Sequence, residues 1–418
     1  MLKITDLKLH NWYYPVVLLS YVLALFFSVV RPGVVSAVLV SLVVIETLIG
    51  LHNSRIWIRE GLHKIERDAD DSLHNVKTED IILSLWLIYN ILSGIWCIGF
   101  GIPASVYFGE LFTTALPMSF YFCGRTDCSS RRFSLYFLLS VAIIGILGII
   151  LFITGPVFYL DYLYDLQLIS KADIPTMRVR MHSVIGSTLM GFLPSIGMLV
   201  SVRAYIDSED KGKKILSVFS FVFMLLLAFM SNQRSAMAAA IFILIYLNFL
   251  CFFTFRLFSK KYLIAECIAA VAVAAGFFMC FNGAFMKVYY RLVSLPESIA
   301  QRSDQWVGAA NNMKNIWLGN GLGANGHRAI GFTEHLIADG GLSKLYVENG
   351  IIGTSLFVFL ILLILKKGFK NLKNTAPEIG IIIVTLIMSI GSNMMSFALS
   401  VPVFYYYMGR AVRERESI

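Results

Sequence analysis

Several arginines in this chain stand where hydropathy alone would not place them. Arg234 lies in SNQRSA, between two apolar runs with almost no loop. A charge at that depth is expensive and rarely faces lipid. One reading is an interfacial arginine that snorkels to lipid head groups. The chemical reading is a planar guanidinium that holds a phosphate or diphosphate bidentately. Arg178, Arg180 and His182 alternate in MRVRMHS, just before an apolar run. They read either as a solvated loop end or as part of an anion-binding surface. Arg291 and Arg302 flank the start of an amphipathic segment. Arg302, in QRSDQW, has Glu297 and Asp304 as alternative surface partners. Five such cations gathered on one face would attract an anionic substrate.

A reaction also needs a base. His335 and Asp339 are four residues apart in EHLIADGG. If that stretch is helical, they share one face. Asp339 would then polarise the imidazole and His335 would act as general base. The alternative is a helix-start aspartate beside a surface histidine. His327 is a second candidate base, in a Gly-rich turn. That turn places Gly321, Gly323 and Gly326 in a G-x-G-x-x-G spacing. No strand precedes it, so it reads as a tight turn with close backbone approach and not as a dinucleotide site. Carboxylates outside the apolar runs, among them Asp161, Asp165, Asp173, Glu334 and Glu348, are scattered. The six cysteines show no metal-ligand spacing. No metal and no cofactor are expected.

The elements that must position these groups are membrane helices. The 418 residues are 57% hydrophobic and only 15% charged, with a mean hydropathy of +0.73. Soluble domains carry about 25% charged residues, so most of the length belongs in lipid. The apolar runs suit helices crossing a hydrocarbon core about 30 Å thick, not barrel strands. The fold class is therefore an all-α, polytopic membrane protein in one domain, 1–418. Helices are expected near 14–30, 33–51, 80–100, 104–122, 133–154, 184–202, 215–231, 235–254, 262–281, 344–365, 377–392 and 394–409. No cleavage site follows the first run, so it serves as its own insertion signal. The net charge of +9 sits in clusters at run ends, a topology signal that argues against nucleic acid.

Threading these twelve spans with the N-terminus inside puts 24 of the 35 Lys and Arg residues on the inner side. The reverse threading puts 24 outside, so the positive-inside rule makes both termini cytoplasmic. The eleven outer cations are Arg31, Lys171, Arg178, Arg180, Arg234, Lys287, Arg291, Arg302, Lys314, Arg328 and Lys344. Most fall in two long periplasmic loops, 155–183 and 282–343. Trp306, Ala309, Ala310, Met313 and Trp317 recur every three to four residues, which predicts an amphipathic helix near 299–316 lying on the bundle or at the interface. The inner loop 52–79, mixed in charge, reads as a solvated helical extension. Only Glu46 and Glu266 read as deep charges, and there is no internal repeat.

The blocks RSDQWVGAANNMKNIWLGNGLGANG and EHLIADGGLSKLYVENGIIG together resemble the C-terminal signature of bacterial O-antigen polymerases and of their relatives, the O-antigen ligases. The residues that carry the resemblance are Arg302, Trp306, Gly319, Gly321, Gly323, His335, Asp339, Glu348, Gly350 and Gly353. SNQRSA, with Arg234, is similar to the family's short Ser/Arg turn. Ligases carry His-Asn where this chain has Asp339-Gly340, which favours the polymerase. The resemblance implies a glycosyltransferase of the inner membrane that works at its periplasmic face. It would join undecaprenyl-diphosphate-linked oligosaccharide units, donor and acceptor, en bloc. His335 and Asp339 would activate the acceptor hydroxyl. Arg234 and Arg302, with Arg178, Arg180 or Arg291, would hold the diphosphate; His182 and His327 are secondary candidates. A flippase and a chain-length regulator of the same pathway are the implied protein partners. Rival readings are an O-antigen ligase acting on lipid A-core and a lipid-linked oligosaccharide transporter.

Overall fold

A computed structural model describes residues 9–26, 37–49, 77–127, 130–155, 157–165, 180–255, 286, 289–290 and 293–413. The described residues form helices α1 (Tyr13–Phe26), α2 (Ala37–Ile49), α3 (Thr78–Gly99), α4 (Ala104–Glu110), α5 (Phe120–Thr126), α6 (Ser130–Thr154) and α7 (Val157–Asp165). They continue with α8 (Ser187–Ile206), α9 (Lys211–Met230), α10 (Arg234–Phe249), α11 (Leu295–Asn311), α12 (Gly341–Lys370), α13 (Leu372–Gly391) and α14 (Val401–Ala411). Seven helices are long and apolar enough to cross a membrane: α3, α6, α8, α9, α10 with its extension to Thr254, α12 and α13. They mark a multi-pass helical membrane protein. The run expected near 262–281, with Glu266, and most of the inner loop 52–79 lie outside the described residues. So does most of the loop 155–183, of which α7 and residues 180–183 are described.

Burial sorts the helices. In α8, 78% of the apolar window is buried, against 22% in α9. Thus α8 sits centrally and α9 turns most of its surface outward, where Ile215, Phe219 and Val222 are exposed. Close packing relies on small residues, as it must where lipid is as apolar as the helix. Gly124 of α5 meets the Tyr406 carbonyl of α14, and Gly409 of α14 meets the Tyr121 carbonyl of α5. Neither place has room for a Cβ. Buried aromatics pack beside this contact and bond their polar tips to backbone. Tyr13 and Tyr14 donate to the Ala398 and Leu399 carbonyls at 2.8 and 2.9 Å.

Charged residues gather at the two ends of the bundle. At one end, Arg203 of α8 pairs with Asp207 at 2.8 Å and reaches Glu378 of α13 at 3.6 Å, while Arg410 of α14 approaches Glu378 at 3.8 Å. Lys367 of α12 pairs there with Glu79 of α3 at 2.6 Å. The opposite end carries Arg180, Arg234, Arg302, Arg328 and Lys344.

Two expected helices differ in form. The run near 104–122 is not one helix: α4 passes through a π turn, Leu111–Ala115, and a 3₁₀ turn, Leu116–Ser119, before α5 begins. Pro117 lacks an N–H and its ring crowds the carbonyl four residues back, so regular α structure cannot run through it. The run near 344–365 extends over Gly341–Lys370 but breaks at Gly350, where φ is 60°. The amphipathic helix forms over Leu295–Asn311, earlier than 299–316. Its Trp306, Ala309 and Ala310, with Met313 just beyond it, pack on Ile337 and Val347. Trp317 lies past the helix end and is exposed, so it takes no part in that face.

Candidate functional site

The turn between α9 and α10 is short because Asn232 takes a left-handed φ of 50°. Gln233 then donates from its side chain to Ser187 Oγ at 2.6 Å, tying the turn to the start of α8. Arg234 is the first residue of α10. It is half-buried, and its Nε is buried with no hydrogen-bond partner among the described residues. A buried guanidinium nitrogen left open costs free energy unless a ligand meets it. Next to it, Ser235 Oγ lies 3.5 Å from Ser392 Oγ, just beyond the C-terminus of α13.

Arg302 reaches the same helix end from α11. Its Nη1 donates to the Gly391 carbonyl at 2.9 Å, and its Nη2 pairs with Asp339 Oδ2 at 2.9 Å. The carbonyl end of a helix is partly negative, so it suits a guanidinium. The backbone around the pair is fixed. Trp306 Nε1 donates to the Asp339 carbonyl at 2.6 Å, and Gly341 N donates to the Ser392 carbonyl at 3.2 Å. Asn393 Nδ2 donates to the carbonyls of Ile337 and Ala338. Gly340, at φ 121°, lies against the Trp306 indole where no Cβ fits. Arg302 is thus held at the C-terminal end of α13, and the start of α10, which carries Arg234, adjoins the same end through Ser235.

The expected His335–Asp339 pair takes another form. Residues 331–340 are turns and extended backbone, so spacing by four does not stack the two side chains. The carboxylate of Asp339 goes to Arg302 and holds that guanidinium instead. His335 is half-buried, with Nδ1 beside Gly308 of α11. Its carbonyl accepts from Asn325 Nδ2 at 2.7 Å, while its ring has no hydrogen-bond partner among the described residues. The ring is therefore free to take a hydrogen bond from a ligand. His182 is buried with Nδ1 3.0 Å from the Arg180 carbonyl, on a segment joined to α9 by Met181 N to the Met230 carbonyl at 3.0 Å. Arg180 is half-buried on that segment. His327 is exposed at the start of a 3₁₀ turn. Arg178 and Arg291 lie outside the described residues.

A second cluster escaped the reading of the sequence. Lys344, expected as an outer cation at the start of the helix near 344–365, is 3% exposed in the first turn of α12. Its Nζ bonds Glu110 Oε1, lies 3.6 Å from Glu348 Oε1, and donates to Ser396 Oγ at 2.8 Å. Arg328 Nε is 3.6 Å from Glu110 Oε2, and Asn325 N donates to Glu348 Oε1 at 3.1 Å. Two carboxylates and two cations balance, as buried charges must. Glu348, read from the sequence as one of the scattered carboxylates, is therefore part of a buried charged group. Beside them lies a cavity of about 30 Å³, bordered by Trp86, Asn90, Asn349 and Tyr405, large enough for a water. The i, i+4 spacing of Lys344 and Glu348 at the head of an apolar run was the available signal.

The Gly-rich turn closes this region. Gly319, Gly321 and Gly323 all have positive φ. Their loop lies against the break in α12 and takes up the backbone groups that the break releases. Asn320 N and Gly321 N donate to the Val347 and Glu348 carbonyls at 2.9 and 2.8 Å. Ile351 N and Ile352 N donate to the carbonyls of Ile316 and Trp317 at 3.0 and 3.1 Å. Irregular backbone at membrane depth survives only when satisfied in this way. Compared with known proteins, the chain matches no protein-family model, and no curated protein matches it significantly.

Proposed function

We propose that the chain is a polysaccharide polymerase of the O-antigen type, joining lipid-diphosphate-linked oligosaccharides en bloc. The observation that carries this reading is the pair of arginines at the end of α13, with the open His335 ring on the loop that packs against α11. The acceptor hydroxyl gives its proton to His335, and its oxygen forms the new bond to the anomeric carbon of the growing chain. The bond from that carbon to the diphosphate oxygen breaks. Arg302 and Arg234 take the charge that develops on the leaving diphosphate. Asp339 keeps Arg302 in place and does not serve His335. Arg180, and Arg178 and Arg291 from their loops, would extend the cationic surface. This reading keeps about twelve spans in the bacterial inner membrane, with both termini cytoplasmic and the arginines periplasmic. Undecaprenyl-diphosphate-linked repeat units are the donor and acceptor, a flippase supplies them, a chain-length regulator acts on the product, and no cofactor takes part.

A transporter for lipid-linked sugars is the second reading. The break in α12 beside the buried Glu110–Lys344–Glu348 group favours it, since discontinuous helices and buried ion clusters build transport sites. Polysaccharide from a deletion strain separates the readings. Lipid A-core carrying one repeat unit supports the polymerase. Long lipid-linked polymer with bare core means a ligase. Repeat units stranded on the cytoplasmic leaflet mean a transporter.

A further inference from the structure

The fold brings three metal-binding residue types together at the end of the bundle opposite Arg302. His10 stands in the 3₁₀ turn Leu9–Trp12 ahead of α1, Glu46 on α2 and Cys123 on α5. Their ligand atoms all lie within 4.8 Å of one another, and all three residues are buried. The reading of the sequence expected no metal, because spacing rules see only close neighbours and Glu46 and Cys123 are 77 positions apart. A second observation points to a ligand. Glu46 is 1% exposed, its Oε2 is 3.6 Å from Cys123 Sγ, and its Oε1 is buried with no hydrogen-bond partner among the described residues. A carboxyl so placed needs either a proton or a compensating positive charge, and a bound cation supplies the second. Asp127 lies behind the imidazole, with Oδ2 3.4 Å from His10 Nε2, and orients the ring. Tetrahedral ligand atoms around an ion at about 2.0–2.3 Å are roughly 3.3–3.7 Å apart, and Glu46 Oε2 and Cys123 Sγ stand 3.6 Å apart.

We propose that His10, Glu46 and Cys123 bind a zinc-class divalent ion that clamps the N-terminal helix to the α5–α14 pair. Sulfur and imidazole together select zinc over magnesium or calcium. The ion binds as the Cys123 thiol gives its proton to water, leaving a thiolate ligand. Tyr406 donates to Asp127 Oδ2 at 2.7 Å, which orients that carboxylate. The Cys123 thiolate and the Glu46 carboxylate together match the charge of a divalent ion. Arg410 and Arg413 hold the Asp127 carbonyl at 3.1 and 2.7 Å.

The test uses the full chain, expressed with zinc and purified in detergent through a tag without histidine. Elemental analysis should find about one zinc per chain. Glu46→Gln and Cys123→Ser should fall to background while eluting as the same single peak. Cobalt in place of zinc should give a thiolate charge-transfer band that Cys251→Ser keeps and Cys123→Ser loses. Should Cys123→Ser fail to fold, Cys123→His should fold, keep the metal and lose the band. Wild-type protein without stoichiometric metal overturns the proposal. So does stoichiometric metal that survives these substitutions, or a cobalt protein without the thiolate band.

Discussion

At the scale of single residues, Arg302 is the group on which the proposed chemistry depends most. Two donors hold it, one on the Gly391 carbonyl and one on Asp339, so its position survives without substrate. Arg302→Ala should lower polymer formation about a hundredfold or more, the usual cost of losing one preorganised donor to a developing anion. Arg302→Lys should recover little, since one ammonium cannot span both partners. Asp339→Asn should cost less than Arg302→Ala. The double variant should be no worse than Arg302→Ala alone, because Asp339 acts through that arginine. Chain-length ladders from cells with matched membrane levels check this. Additive losses would mean that Asp339 touches the substrate itself. His335→Ala should abolish long chains while the protein still inserts. A normal ladder in that variant would remove His335 from the mechanism.

At the scale of elements, α12 is where the fold and the site meet. The break at Gly350 is a conformation open almost only to glycine, and a Cβ there would press on the Trp317 carbonyl. Gly350→Ala should destabilise the protein by about 1–3 kcal/mol from the backbone conformation alone, seen as a lower Tm in detergent. Lys344→Met strands Glu110 and Glu348 without their shared cation and should cost about 3–5 kcal/mol. Adding Glu110→Gln to Lys344→Met should restore part of that loss. A double variant as unstable as the single would mean that Lys344 contributes by packing and not by charge. Apolar runs such as Thr78–Gly99 and Leu372–Gly391 were legible in the sequence, because a helix in lipid must be continuously apolar over a fixed length. The amphipathic period of Leu295–Asn311 was legible for the same kind of reason. Pro117 was visible, yet hydropathy does not register a lost N–H. The partnership of Lys344 with Glu110 spans 234 positions, and no local pattern encodes it. His335 and Asp339 were found by spacing, but spacing assumed a helix that the glycines at 331 and 340, both at positive φ, replace with a turn-rich loop. Asp339 therefore meets Arg302 and not His335.

At the scale of the whole molecule, the two ends of the bundle carry charge in different ways. The end built by Arg203, Glu378, Arg410, Lys367 and Glu79 is cross-tied by ion pairs. The other end holds Arg234 with a buried nitrogen left open. The count of 24 of the 35 Lys and Arg residues on the side of Arg203, Lys367 and Arg410 predicts by the positive-inside rule that the cross-tied end faces the cytoplasm and the open arginine the periplasm. The exposed positions Lys211 and His327 lie at opposite ends. A cysteine placed at 327 should react with a membrane-impermeant maleimide on spheroplasts, after the parent chain's own labelling is subtracted. A cysteine placed at 211 should react only once the membrane is opened. The reverse pattern would turn the molecule over and put the arginines beside cytoplasmic nucleotides and phosphates. A polymerase of lipid-linked units could not work from that side, whereas a cytoplasmic anion site could, so this one measurement bears on the orientation and on the reaction together.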